Sequence, residues 1–184
     1  MTESDTSIRT QRLLLRTWQE ADFEPLVTMG SDPRVMEFFP SLMSREDTGA
    51  MLDRIRTHHE THGFGYWAVE IPGITSFAGF IGLAVPRFDA HFTPCVEIGW
   101  RLMPEYWGQG LASEGAHATL EFGFARVGLS EIVAMTAVSN VRSRRVMERL
   151  GMTHDPADDF DHPLVATGNP LQRHVLYRLR RPNP

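Results

Sequence analysis

Two glycines one residue apart, Gly108 and Gly110, separate a segment that reads as a strand, Val96 to Leu102, from one that reads as a helix. Glycine accepts left-handed backbone and puts no Cβ in the way, so successive N–H groups can converge on an anion. The first turn of the following helix adds unpaired donors and the positive end of its dipole. The stretch Trp107-Gly108-Gln109-Gly110-Leu111-Ala112-Ser113 therefore reads as a pyrophosphate cradle at a strand-to-helix junction.

Its spacing nearly satisfies the dinucleotide fingerprint G-x-G-x-x-G/A. That fingerprint sets the first glycine tight against a strand end and an acid at the end of the next strand, about 20 residues on. Here Met103 to Trp107 intervene, and Glu131 opens the next strand-like run instead of closing it. A dinucleotide oxidoreductase is disfavoured on both counts. No Lys-Ser or Lys-Thr follows the glycines, which excludes a P-loop.

The elements around the cradle can be read from periodicity and punctuation. Arg12 to Trp18 reads as a strand, and Ala21 to Met29 carries Phe23, Leu26 and Val27 at helical intervals. Ser44, followed by Glu46 and Asp47, predicts an N-cap with acids in the first turn, opening a helix that runs to about His62 and stops at Gly63. Phe64–Ile71, Phe77–Val85 and Pro94–Leu102 are aromatic and branched runs with Pro/Gly punctuation, which predicts three consecutive, mostly antiparallel strands at the sheet's centre. Ala112, Ala116, Leu120 and Phe124 form one apolar helix face with a stop near Gly128, and Glu131–Val138 is a further strand. Val141–Leu150 is a short helix with Val146 and Leu150 inward and Gly151 as its left-handed cap. Asp155 to Gly168 reads as a loop, and Arg173–Arg180 as the last strand.

A chain of 184 residues, 42% hydrophobic, can bury the core of one domain without cross-links. One domain over residues 1–184 is expected, with about 1–8 and 181–184 as flexible tails. Eighteen basic residues against 23 acidic ones, a formal charge of −5 with no long like-charge run, argue against nucleic-acid binding. The lone Cys95 excludes an internal disulfide and suits a reducing compartment, and no apolar run approaches the roughly 20 residues that span a bilayer. A cytoplasmic protein with no membrane partner is expected.

Three patterns together resemble the GNAT superfamily of N-acetyltransferases, specifically its RimJ/RimL-like branch. They are Val96-Glu97-Ile98-Gly99-Trp100-Arg101-Leu102, Tyr106-Trp107-Gly108-Gln109-Gly110-Leu111-Ala112, and Asn140-Val141-Arg142-Ser143-Arg144-Arg145-Val146-Met147-Glu148-Arg149-Leu150-Gly151-Met152, in that order within a match running from Arg12 to Arg178. The resemblance implies a mixed α/β fold, a splayed, mostly antiparallel sheet with helices on both faces, and acetyl-coenzyme A in the V between its fourth and fifth strands. The family's loop pattern is Q/R-x-x-G-x-G/A, and Trp107 stands where Gln or Arg is usual. The resemblance also allows a homodimer.

Transfer from a thioester to an amine requires a neutral nucleophile. A lysine amine at pH 7 is about 4.6 kcal/mol from neutrality, whereas an α-amine near pKa 8 costs roughly 1.4 kcal/mol. A positioned carboxylate could take that proton directly or through one water. Glu97 is the candidate, on the strand that borders the family's acetyl site; the competing reading has it facing solvent or paired with Arg101. By the same resemblance Leu102 and Met103 run along the pantetheine and thioester through their main chain, and Asn140 contacts the cofactor. Many relatives carry a proton-donating tyrosine where this chain has Met147. Ser143 is the substitute that supports the thiolate, unless it caps the helix.

Other residues have weaker claims. Cys95 could be an acyl-accepting nucleophile, but a lone Cys among apolar strand residues is more often a small buried hydrophobe. One of Arg142, Arg144, Arg145 and Arg149 could meet the coenzyme's 3′-phosphate. Phe39, Trp67, His162 and His174 are candidates to line the acceptor side. The eight histidines show no metal-binding spacing, so no metal is expected. The function expected is acetyl transfer to a primary amine, either a protein N-terminus or a small molecule. A noncatalytic acyl-coenzyme A sensor is the alternative.

Overall fold

The computed structural model describes residues 7–181. Among the described residues nine strands form one sheet: β1 (Ile8–Arg9), β2 (Leu14–Arg16), β3 (Tyr66–Ile71), β4 (Thr75–Ala84), β5 (Glu97–Leu102), β6 (Glu131–Ala137), β7 (Thr153–His154), β8 (Phe160–Asp161) and β9 (Arg173–Arg180). Their order is β1-β2-β3-β4-β5-β6-β9-β7, with β8 also paired to β9. The four α-helices are α1 (Phe23–Ser31), α2 (Arg45–His62), α3 (Leu111–Phe122) and α4 (Val141–Arg149).

Local chemistry explains the boundaries. Ser44 and Asp47 form a reciprocal capping box at the start of α2, and Gly63, at φ 73°, ends it in the left-handed conformation. The β3–β4 hairpin turns through Gly73, also at positive φ, 79°. α3 continues into one π-helical turn, Gly123–Val127, before Gly128 stops it at φ 80°.

Successive side chains of a strand point to opposite faces, and both faces of this sheet are covered. Trp67, Val69, Ile81, Leu83 and Ile98 join α3 and Met147 of α4 on one face. Ala68, Phe77 and Phe80 meet Leu26, Met29 and Leu52 of α1 and α2 on the other. α3 lies close to the sheet because Gly115 has no side chain; a Cβ there would stand 2.5 Å from Ile81 Cδ1.

One seam is different. Every other adjacent pair of strands is antiparallel, but β5 and β6 run parallel and are joined in register at a single pair, Glu97 opposite Val133. The Val133 N–H donates to the Val96 carbonyl at 2.9 Å. Beyond that rung the strands diverge, and the expected V opens between them.

The expected central strands, four helices and last strand are found with several ends displaced by up to three residues, and with three further corrections. The β2 run shrinks to three residues because Thr10 to Leu13 form the β1–β2 turn, where the Thr10 N–H donates to the Leu13 carbonyl. Ile8 belongs to β1 and not to a tail; the rest of the expected tails, 1–6 and 182–184, lies outside the described residues. In α4 Met147 is the side chain turned fully inward, together with Leu150, while Val146 is half-buried. The short strand β7 precedes the expected loop 155–168, and a second short strand, β8, forms inside it.

Candidate active site

The V holds a cavity of about 550 Å³, lined by β5, Gly108 and Gly110–Ser113 of the cradle, the end of β6, α4 and residues of the α1–α2 segment. At the cradle, Gly108 and Gly110 adopt φ of 72° and 77°. A Cβ at Gly108 would meet nothing within 4 Å, so backbone conformation and not crowding demands glycine there. Leu111, Ala112 and Ser113 are the first three residues of α3, whose N–H groups have no intrahelical acceptor. The Ser113 hydroxyl is buried without a hydrogen-bond partner among the described residues. Open left-handed glycines, free first-turn donors and an orphaned hydroxyl on one cavity wall fit the pyrophosphate end of a coenzyme A thioester.

The cradle is braced from outside. Arg12 pairs with Glu114 in the first turn of α3 at 2.6 Å, and its Nη1 donates to the Gln109 carbonyl at 3.0 Å. The Gln109 side chain folds back to the Glu105 carbonyl, 3.0 Å away, and does not line the cavity. Trp107, at the position of the usual Gln or Arg, donates its indole N–H to the Leu102 carbonyl at 2.7 Å. Leu102 lines the cavity. Met103 does not: its N–H is taken by the Ala78 carbonyl at 2.9 Å, and its side chain packs with the α1–α2 core. The expectation that Met103 presents open main-chain groups to the cofactor is corrected accordingly.

Asn140 is the N-cap of α4. Its Oδ1 accepts from the Ser143 N–H at 3.2 Å and its Nδ2 donates to Thr136 Oγ1 at 2.9 Å. Asn140 therefore does the capping, and the Ser143 hydroxyl remains free among the described residues, facing the cavity. The four arginines of α4 divide. Arg144 donates to the Val138 carbonyl at 3.2 Å. Arg142 pairs with Glu37 and lies over the rings of Trp107, at 4.7 Å, and Phe38, at 5.6 Å, tying α4 to the α1–α2 segment. Arg145 and Arg149, one helical turn apart on the cavity side, have no carboxylate partner among the described residues.

Glu97, Gly99 and Arg101 alternate onto the α1–α2 face of β5. Glu97 lines the cavity, and burial pushes its carboxyl up to about 7, with no cation to oppose the shift. The Tyr66 ring reaches across the sheet to lie over Gly99, where a Cβ would stand 2.6 Å from the phenol oxygen. It can do so because Tyr66, Gly82 and Gly99 are in register on three adjacent strands. The pairing of Glu97 with Arg101 considered from sequence does not form.

Phe39, His162 and His174 line the cavity. The imidazole centroids are 4.8 Å apart, and His162 sits 4.6 Å from the Phe88 ring. Burial drives the His162 pKa down to about 4, with the His174 imidazole adding to the shift, so both rings are neutral at pH 7. Trp67 does not line the cavity. It is fully buried on the opposite face, edge-on to Phe122 at 5.2 Å and His59 at 5.5 Å. Cys95 is half-buried and its thiol is raised to about 11 by burial, which leaves it no nucleophilic thiolate at neutral pH. Tyr66 and the isolation of Arg101 escaped sequence reading; the one signal was the pair of glycines that makes room for the phenol.

A split sheet whose cleft holds an anion cradle and an unpaired carboxyl suits a coenzyme A-dependent acyl-transferring domain. Residues 12–153 match the family described as Acetyltransferase (GNAT) domain. An N-acetyltransferase of Bacillus subtilis, YnaD, of uncharacterised activity, is 30% identical over 80% of this chain and 83% of its own length. A GNAT-family acetyltransferase structure from Bacillus anthracis superposes with a TM-score of 0.77 at 30% identity, over 95% of this chain and 98% of its own. RimL, a ribosomal α-N-protein acetyltransferase solved in complex with coenzyme A, shares the fold at a TM-score of 0.75 and 18% identity, over 95% of this chain and 97% of its own. The chain belongs to the GNAT acetyltransferase family, and its cosubstrate is acetyl-coenzyme A. Among the described residues no helix is long and apolar enough to cross a membrane.

Proposed function

We propose that the protein acetylates a primary amine by direct transfer in a ternary complex, with Glu97 as the general base. The observation that carries this reading is a carboxyl lining the cavity, at the rung where the V begins, raised to about 7 by burial and free of any ion pair. A base with that affinity for protons is half-ionised near neutrality, where proton acceptance from an ammonium is most effective.

When bound, acetyl-coenzyme A supplies an acetyl group activated as a thioester. Gly108, Gly110 and the first-turn N–H groups of Leu111, Ala112 and Ser113 hold the pyrophosphate, and the Ser113 hydroxyl adds a donor. Arg145 and Arg149 take the 3′-phosphate. Trp107 fixes Leu102 against the pantetheine side, and Asn140 sets the turn that aims α4 at the cavity. Glu97 accepts the amine proton directly or through one water, and the Ser143 hydroxyl donates a hydrogen bond on the sulfur side. Phe39, His162 and His174, with Phe88, enclose the acceptor and exclude water.

The test is Glu97→Gln, with acetyl-coenzyme A affinity and acetylation of a primary-amine panel measured separately. The expected result is unchanged cofactor affinity, a kcat/KM lower by about 100-fold or more, and loss of the ascending pH limb near 7. Full activity in the variant removes Glu97 from the mechanism.

A further inference from the structure

Arg101 lies along the same face of β5 as Glu97, about 13 Å away at four residues of strand rise. Its guanidinium carbon stands 4.0 Å from the centroid of Phe39 and 5.2 Å from that of Phe80, so it is held between two rings. Among the described residues no carboxylate pairs with it. Its Nε is buried with no hydrogen-bond partner, and Nη1 points at Met43 Sδ, 3.6 Å away, a weak acceptor. A cation taken out of water is normally matched by an acid within the protein, as Arg16 is by Asp22 at 2.8 Å and Glu70 at 3.0 Å. Arg101 is left unmatched and lines the cavity that also contains Glu97.

We infer that Arg101 is a specificity-determining residue that receives the anionic group of the acceptor, and that the acceptor is a primary amine carrying a carboxylate. This rests on the amine-acetylation reading above and adds the substrate class. The two ends of the acceptor site then have opposite tasks. Glu97 receives the amine and its proton, while the planar guanidinium offers parallel N–H donors that match a carboxylate's two oxygens. The aromatic rings beside Arg101 fix the fork and keep water from competing. Tyr66 lies between the two groups, over Gly99, and supplies a phenol to the body of the acceptor.

Burial lowers the affinity of Arg101 for its proton, to about 10, and the group is still cationic at neutral pH. An unmatched buried cation costs stability that a bound carboxylate would return. The same cost separates this role from a structural one. If Arg101 serves packing, its replacement destabilises the free protein; if it waits for an anion, a neutral side chain of similar length does not.

The experiment uses matched pairs of acceptors: amino acids and ω-amino acids against their carboxamides, and dipeptides with an acidic second residue against their amide counterparts. Each is assayed with acetyl-coenzyme A on the wild type, Arg101→Met and Arg101→Lys. In the wild type the carboxylate member is expected to be preferred by about 10- to 100-fold in kcat/KM. In Arg101→Met the preference falls to within about 3-fold, with an undiminished melting temperature, and Arg101→Lys keeps part of it. The arm in which the preference appears identifies a free amino acid or a peptide as its source. Equal rates for both members in the wild type, or an unchanged preference in Arg101→Met, overturns the inference while leaving amine acetylation intact. Absence of turnover for every pair removes the amine reading, and this inference with it.

Discussion

A carboxyl that is raised to about 7 by burial, from an ordinary 4.5, must weaken the fold whenever it is ionised. The folded state binds its proton more tightly than the unfolded state, so between those two values stability falls as pH rises. The full effect is about 3.4 kcal/mol, from 2.5 units at 1.36 kcal/mol each. At pH 5 roughly 0.8 kcal/mol of it is already felt, and at pH 8 about 3.3, so the window holds about 2.5 kcal/mol. Glu97→Gln replaces the carboxyl by a neutral group of the same shape and removes the whole dependence. Urea unfolding of both proteins at pH 5 and pH 8 isolates the contribution, because every other titrating group is common to the pair. The advantage of the variant is expected to grow by about 2.5 kcal/mol from the lower pH to the higher. Parallel stability profiles would mean that the carboxyl titrates normally, and the argument for a base poised near neutrality would fail.

Removing both unpaired arginines of α4, in Arg145→Ala/Arg149→Ala, is expected to weaken acetyl-coenzyme A binding about tenfold or more while leaving the affinity for dephospho-coenzyme A unchanged; calorimetry with the two ligands decides it, and equal losses would place the 3′-phosphate elsewhere. Gly110→Ala forces a Cβ onto backbone at φ 77° and should cost about 1–2 kcal/mol, read as a melting temperature lower by roughly 2–6 °C, whereas Gly110→Asn loses less. Gly99→Ala puts a methyl group 2.6 Å from the Tyr66 oxygen and must displace the phenol; acceptor KM should rise by about fivefold or more with acetyl-coenzyme A affinity unaltered, and an unchanged KM would take Tyr66 out of the acceptor site.

What could be read from the residues follows from how local the determining physics is. The limits of α2 are set by a side chain three residues from its partner and by one glycine, and both are visible in Ser44, Asp47 and Gly63. β9 was legible because the branched and aromatic run Val175-Leu176-Tyr177 sits between arginines at its ends, whereas the two-residue strands β1, β7 and β8 are too short to show any pattern. The cradle was legible because its demands are met by backbone within six residues. The acceptor side was not, because it is assembled across strands. Tyr66 and Trp67 are adjacent aromatics on a strand covered on both faces, so one enters the cavity wall and the other the opposite core, and nothing in their immediate sequence says which. Met103 lies one position past the end of β5, where its side chain joins the α1–α2 core and its N–H bonds the Ala78 carbonyl. The isolation of Arg101 is a property of what surrounds it, namely Phe39 and Phe80 from other parts of the chain and no acid.

The single rung between the two halves of the sheet has a mechanical consequence. If those halves rock against each other, the motion turns about the place where they are joined, and points close to a pivot travel least. Glu97 is itself half of that rung, opposite Val133. The mouth of the wedge, where α4 faces the cradle, can therefore widen and narrow as cofactor enters and leaves, while the carboxyl at the fulcrum keeps its place.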